Sequence, residues 1–184
     1  MSDRSASQAP PPITTALADG TSVLIRPLEP SDAEHLADGL EKLSPESRRQ
    51  RFLTAIKRLT SRQLEYLTSP DLENHLALGI AVLHDGGRPA QGIGVVRCVR
   101  ERPGAGTAEV AAAVADDWHR RGVGTLLLTH LRRWARKKRI AFFKASMFAD
   151  NRAAERLMGK LGPIVQRRVL SRGVIELTAD ITEG

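Results

Sequence analysis

The chain has 184 residues, a length that suits one domain with a substantial core. Its formal net charge of +7 favours anionic partners, while aromatics at only 4% leave too few rings for the stacking platforms of single-strand nucleic-acid binders. No stretch approaches the ~20 apolar residues of a membrane span, and the lone Cys98 excludes an internal disulfide and a cysteine metal cluster.

Residues 1–20 carry Ser, Ala and a Pro10-Pro11-Pro12 run without an apolar period, which predicts a disordered tail. The same stretch lacks the apolar segment of a secretory signal, so a cytoplasmic protein is expected. Order is predicted from Val23-Leu24-Ile25, a short strand followed by the turn Arg26-Pro27-Leu28-Glu29-Pro30. Ser31-Asp32-Ala33-Glu34 reads as a capping box opening a helix from Asp32 to Leu40. Ser44-Pro45 places a cap before a proline at the first helical position, giving a second helix through Phe52. Thr60-Ser61-Arg62-Gln63 repeats the capping-box pattern for a third helix through Leu67.

Two apolar runs, His75 to Leu83 and Gly92 to Val99, flank Asp85-Gly86-Gly87 and predict a β-hairpin. A further strand, Ala108 to Val114, completes a meander. From Gly122, the positions Val123, Leu126, Leu127, Leu131, Trp134 and Ala135 follow the 3.6-residue period of an amphipathic helix. The cations Arg136, Lys137, Lys138 and Arg139 suit the negative pole at its end. A strand from Ile140 to Phe148, a helix from Asn151 to Leu161 and two closing strands, Ile164 to Val169 and Gly173 to Thr178, finish the chain. The fold class is therefore α+β, a mixed sheet with helices on both faces.

The segment Asp116-Asp117-Trp118-His119-Arg120-Arg121-Gly122-Val123-Gly124-Thr125-Leu126 is the richest in chemistry. A strand of small residues enters it and a helix leaves it. Two glycines at such a turn let backbone amides crowd outward, and the helix N-terminus adds free N–H groups and the positive end of its macrodipole. That combination predicts a phosphate or pyrophosphate site; the plain alternative is a helix start with glycines for close packing.

With its glycine turn between strand and long helix, this order resembles the GNAT superfamily of acetyl-CoA-dependent acyltransferases, over about Ser22 to Thr178. The implied architecture is a mixed, mostly antiparallel β-sheet, with residues 21–184 as a single N-acetyltransferase domain. The family signature Gln/Arg-x-x-Gly-x-Gly/Ala corresponds here to His119-Arg120-Arg121-Gly122-Val123-Gly124, with His119 in place of Gln or Arg. Asn151-x-x-Ala154-x-x-Leu157-x-x-x-Leu161-Gly162 resembles the family's segment along the pantetheine arm. Finer similarity to bacterial protein-lysine acetyltransferases lies in Arg26-Pro27-Leu28-x-Pro30-x-Asp32, in Leu43-Ser44-Pro45-Glu46-Ser47-Arg48-x-x-Arg51-Phe52 and in Gly173-Val174-Ile175-Glu176-Leu177-Thr178.

The resemblance implies acetyl-CoA as co-substrate, no metal, and an amine acceptor, a protein lysine first. A small amine, a peptide N-terminus or a non-catalytic acyl-CoA-binding module are the alternatives. The implied cofactor contacts are Ala112, Val114, His119, Arg120, Arg121, Gly122, Val123, Gly124, Thr125, Asn151 and Ala154. Presenting a free lysine amine at neutral pH costs about 4.6 kcal/mol given its ordinary pKa, so a general base is useful. Glu109 stands where the family carries that base, and its ordinary alternative is a solvent-facing strand glutamate. An amide near Val110 to Ala112 is placed to polarise the thioester carbonyl. The family's proton-donating tyrosine is replaced by Met158, which cannot donate, and the lone Tyr66 is distant in sequence. Asp71 and His75 are candidates for lining the acceptor site or for plain structural roles. His119 and His130 lack the companions of a metal site. Arg48, Arg49 and Arg51 read either as a solvated helix face or as a guide for an acidic acceptor protein.

Overall fold

The computed structural model describes residues 9–53, 58–84, 87–170 and 173–183. Five α-helices and eight strands are described. In chain order they are β1 (Ile13–Ala16), β2 (Ser22–Pro27), α1 (Ala33–Lys42), α2 (Pro45–Phe52), α3 (Ser61–Thr68), β3 (His75–Leu83), β4 (Pro89–Arg100), β5 (Thr107–Val114), α4 (Val123–Lys137), β6 (Phe142–Phe148), α5 (Arg152–Leu161), β7 (Ile164–Val169) and β8 (Val174–Asp180). The strands form a sheet ordered β1-β2-β3-β4-β5-β6-β8-β7. Its neighbours are antiparallel, except for the parallel pair β5–β6. Helix α4 makes the crossover that a parallel pair requires. Asp85, Gly86, Ser171 and Arg172, expected in turns, lie outside the described residues.

Helix α4 packs its apolar stripe on one face of the sheet. Val123, Leu127, Leu131, Trp134 and Ala135 are buried there as their spacing predicts, and Leu128 joins them; Leu126 is only partly buried. The facing strand residues include Leu76, Leu78, Val96, Cys98, Ala108 and Val110, all in the same core. Helices α1, α2 and α3 lie over the opposite face, where α1 meets β4 and α2 meets β5 and β6.

Two sequence expectations are corrected. The stretch expected to be a tail contains β1, which pairs Ile13 with Ile25 and Ala16 with Ser22. The β-branched run Ile13-Thr14-Thr15 suits a strand, and Asp19-Gly20 turns the chain, with Gly20 at φ 85°. Leu17 is then buried in the core. The Ser31–Glu34 capping box does not form. Asp32 instead accepts the Glu29 amide at 2.8 Å and a two-pronged bond from Arg26 at 2.8 and 2.6 Å, and residues Pro30–Asp32 make a 3-10 turn before α1. A bidentate arginine outcompetes a simple helix cap for that carboxylate. The Ser44 and Thr60 caps form as expected.

Gly162 closes α5 where no side chain fits: a Cβ there meets the backbone oxygen of Asp180 at 1.8 Å. Gly159, one turn earlier on the exposed side of the same helix, has open space around it. Urea denaturation is expected to show Gly162→Ala losing about 2 kcal/mol or more, while Gly159→Ala gains about 0.5–1 kcal/mol. Equal midpoints for both variants contradict this packing.

Candidate active site

Strands β5 and β6 run together for only three residue pairs: Thr107 with Phe142, Ala108 with Phe143, and Glu109 with Lys144. Beyond that point they diverge. Alternation along an antiparallel ladder determines which backbone groups face the gap. The bond from the Ala115 amide to Ile93 O at 2.9 Å fixes the phase, so Glu109, Ala111 and Ala113 bond towards β4. Ala112 and Val114 therefore direct their N–H and C=O groups into the opening, and Val110 directs its C=O there, its N–H being held by Lys144 in the last parallel pair. On the other bank, the Ala149 amide bonds Gly173 O at 2.8 Å, which turns the backbone of Ser146 and Phe148 towards the same gap. Small side chains at Ala111, Ala112 and Ala113 keep its β5 wall close to backbone width.

The opening ends at two helix N-termini. Gly122 caps α4 at φ 87°, a left-handed conformation that favours glycine. The first intrahelical bond is Leu126 N–H to Gly122 O at 2.9 Å, so the amides of Val123, Gly124 and Thr125 have no acceptor within the helix. Their positive end faces the carboxyl end of β5. Gly124 faces α5: Leu157 Cδ1 lies 3.4 Å from where a Cβ would stand, an ordinary contact distance. Asn151 caps α5, its Oδ1 accepting the Ala154 amide at 3.0 Å. These two predicted contacts thus form one helix start.

The loop before α4 is held from both sides. Its Asp116 carboxylate accepts Ser44 N–H at 2.8 Å, Ser44 Oγ–H at 3.0 Å and Ser47 Oγ–H at 2.5 Å. Burial opposes ionisation, but these bonds keep Asp116 below the usual carboxylate range. Arg121 donates to Asp19 Oδ2 at 2.9 and 2.5 Å and lies over the Trp118 ring at 3.9 Å. Its side chain thus pins the loop to the β1–β2 turn. Arg120 sits at φ 59° and is exposed. The His119 ring reaches back, its Nε2 2.9 Å from Val114 O, one of the carbonyls that face the gap.

The other face of the fork carries the titratable groups. Glu109 is exposed and aligned with Val99 and His75; Arg97 lies one row away, opposite Ala111 and Ala77. Helix α2 bridges this face. Arg49 stands 4.1 Å over the Phe148 ring and pairs with Glu46 at 2.8 Å, Arg48 Nε donates to Leu43 O at 3.0 Å, and the Arg51 guanidinium is close enough to feel the charge of Glu109. None of the three is a free solvated arginine. Asp71 is structural: its Oδ1 accepts the amides of Glu73, Asn74 and His75 at 2.9, 2.7 and 2.8 Å. Met158 is buried in the core and presents no polar group. Tyr66 stacks on His75 with ring centroids 4.8 Å apart. The Asp116 clamp, 69 to 72 residues from its serines, leaves no local trace in the sequence.

His75 is 5% exposed. Burial, then the positive charge of Arg97, pushes its pKa from 6.5 down to about 4, against a smaller opposing pull from Asp71. The folded imidazole refuses a proton that the unfolded chain accepts. Its contribution to stability is therefore full above pH 6.5 and is lost as pH falls towards 4. Melting temperatures measured between pH 7 and 5 should fall less steeply for His75→Asn than for the wild type; parallel slopes would remove His75 from the acid response.

Comparison with known proteins matches this architecture. Residues 22–163 match the acetyltransferase (GNAT) domain family. An acetyltransferase of Pseudomonas aeruginosa is 34% identical over 155 residues, covering 83% of this chain and 80% of its own length. Acetyltransferase Pat of Mycolicibacterium smegmatis is 32% identical over 170 residues; this chain spans about half of that relative, 49%. Among solved structures, the GNAT domain of S. lividans PAT superposes with a TM-score of 0.80 at 30% identity, covering 92% of this chain and 96% of that one. The fold also matches a Salmonella typhimurium structure holding acetyl-CoA, with a TM-score of 0.64 at 17% identity. The forked strands, the glycine loop and these matches together make the chain a member of the GNAT acetyltransferase family, and an acyltransferase enzyme.

Proposed function

We propose that the protein transfers an acetyl group from acetyl-CoA to an amine, with a protein lysine as acceptor, in the cytoplasm. The observation that carries this reading is the fork after Glu109 and Lys144. It leaves strand-edge backbone groups and helix N-terminal amides pointing into one channel, with a carboxylate at the fork's base on the opposite face. The resemblance of residues 43–52 and 173–178 to bacterial protein-lysine acetyltransferases supports a protein acceptor.

When bound, acetyl-CoA supplies an acyl group already activated as a thioester. The amides of Gly122, Val123, Gly124 and Thr125 suit its pyrophosphate, since backbone donors at a helix start need no particular side chain. Ala112 and Val114 offer outward N–H and C=O groups to the peptide-like pantetheine arm, as an added strand does. The Ala112 amide is the donor for the thioester oxygen, where negative charge develops. Asn151 and Ala154 close the far bank. His119, Arg120 and Arg121 shape the loop, and His119 must leave Val114 O if the arm is to bond there.

Glu109 serves as general base, directly or through water, lowering the cost of presenting a neutral amine. Met158, in the place of the family's tyrosine, is buried and apolar and cannot donate that proton. A thiol pKa of about 8.5 makes the thiolate a tolerable leaving group with water alone. The buried Met158 and the His119 bond to Val114 O favour one competing reading, a non-catalytic acyl-CoA-binding module.

Coenzyme A release should separate these readings. Lysine peptides are expected to be acetylated faster than small amines or peptide N-termini, and Glu109→Gln is expected to cut turnover at least tenfold while acetyl-CoA affinity stays within about twofold. Tight acetyl-CoA binding without thiol release across all acceptors supports the binding module instead. Unchanged turnover in Glu109→Gln removes that residue from the chemistry.

A further inference from the structure

Between the sheet and helices α1, α2 and α3 lies a cavity of about 150 Å³, a volume that holds a molecule the size of benzene. Its walls are largely apolar, with Leu36, Leu40, Phe52 and Ile80 among them, and it reaches the end of β5 at Ala113 and Val114 and the next residue, Ala115. Two pairs of charged residues also line it. Arg26 and Asp32 neutralise each other through their bidentate bond. Arg51 and Arg97 have no such arrangement.

Arg97 is 6% exposed, and its polar contacts are long: 3.4 Å to His75 Nε2 and 3.4 Å to Leu67 O. A guanidinium carries five N–H donors, so most of its capacity is unspent in this pocket. Burial lowers its pKa to about 10, and the nearby charge of Arg51 adds to the effect. Arg51 is partly buried and depressed in the same direction by desolvation, offset by Glu109 alone. No carboxylate lies within ion-pair distance of either guanidinium among the described residues. Neutral His75 cannot balance them. Burying two like charges together is unfavourable unless an anion joins them.

We propose that Arg51 and Arg97 form a carboxylate-binding subsite on the acceptor side of the fork, selecting amine acceptors that carry a nearby carboxylate on a compact apolar body. The assignment rests on acyl transfer taking place at β5 beside Glu109. Arg97 and Glu109 sit on diagonal positions of neighbouring strands, roughly 7–8 Å apart in such ladders. An acceptor anchored by its carboxylate thus has its amine within reach of the base. Guanidinium donors hold carboxylates in a fixed planar fork, so the subsite also orients the acceptor. The carboxylate comes either from a free amino acid or from an acidic side chain beside a target lysine.

The test has a binding arm and a turnover arm. Isobutyrate and isobutyramide are matched in size and differ in charge; at constant ionic strength, isobutyrate alone should raise the melting temperature of the protein. Arg97→Met should abolish that shift while the unliganded variant melts no lower than wild type, because an unpaired buried cation has been replaced by an apolar side chain. Arg51→Met gives the same reading from the other side of the cavity. In turnover, KM should rise about tenfold in Arg97→Met for carboxylate-bearing acceptors and little for their amides. Preference for free lysine over lysinamide identifies the small-molecule source. Preference for a Lys-Glu peptide over Lys-Gln identifies the side-chain source.

An isobutyrate shift that persists in both variants, or equal shifts from the acid and the amide, overturns the subsite. An active enzyme that treats acid and amide acceptors alike overturns its role in acceptor choice. Absence of turnover with every acceptor, alongside an Arg97-dependent isobutyrate shift, refutes the transferase reading and the acceptor role while leaving the anion site itself standing.

Discussion

The site depends on the parting of β5 from β6 after Glu109 and Lys144. A continuous sheet would satisfy the backbone of Ala112 and Val114 internally and leave nothing to offer a ligand. Once the strands separate, those groups need partners from water, a side chain or a ligand. The His119 ring already takes one of them, Val114 O. The parting is stable because each strand keeps its other neighbour: β5 pairs with β4 along its length, and β6 pairs with β8. Helices α4 and α5 cover the core side, with Leu157 set against Gly124.

A channel made of backbone groups discriminates only if it is held still. Two clamps do this here, on opposite sides of the loop that links β5 to α4. Asp116 fastens the loop to the start of α2 through two serines. Arg121 fastens it to the β1–β2 turn through Asp19, whose pKa falls to about 2 under bonds from Thr21 and then Arg121. Such prior ordering reduces the entropy lost when a flexible phosphate chain binds. The division of labour between faces follows from strand alternation: even-numbered residues of β5 feed the core and the channel, while Glu109 and its row face α2.

The elements around the channel were legible because their signals are local. The helical period from Val123, the cap at Ser44, the box at Thr60 and the small-residue strand each lie within a dozen residues of what they specify. The missed features involve partners far apart in sequence or competing bonds. Ser31-Asp32-Ala33-Glu34 carries the pattern of a cap, yet Arg26 claims Asp32. Ile13 to Ala16 sits beside a proline run that masks its β-branched character, and only pairing with β2 reveals it. The closeness of Arg51 and Arg97 comes from packing α2 against β5 and β6, beside the strand that carries Arg97, an arrangement no spacing encodes. Even the base candidate Glu109 rests on resemblance, since a strand glutamate has no signature of its own.

Amide hydrogen exchange with and without acetyl-CoA tests the forked-channel account most directly. Slowed exchange at Ala112 and Val114, together with Gly122 to Thr125, is the predicted result, with Ala111 and Ala113 unchanged because β4 already holds them and Val110 unchanged because β6 does. Protection confined to other parts of the chain, or none at saturating ligand, would contradict it.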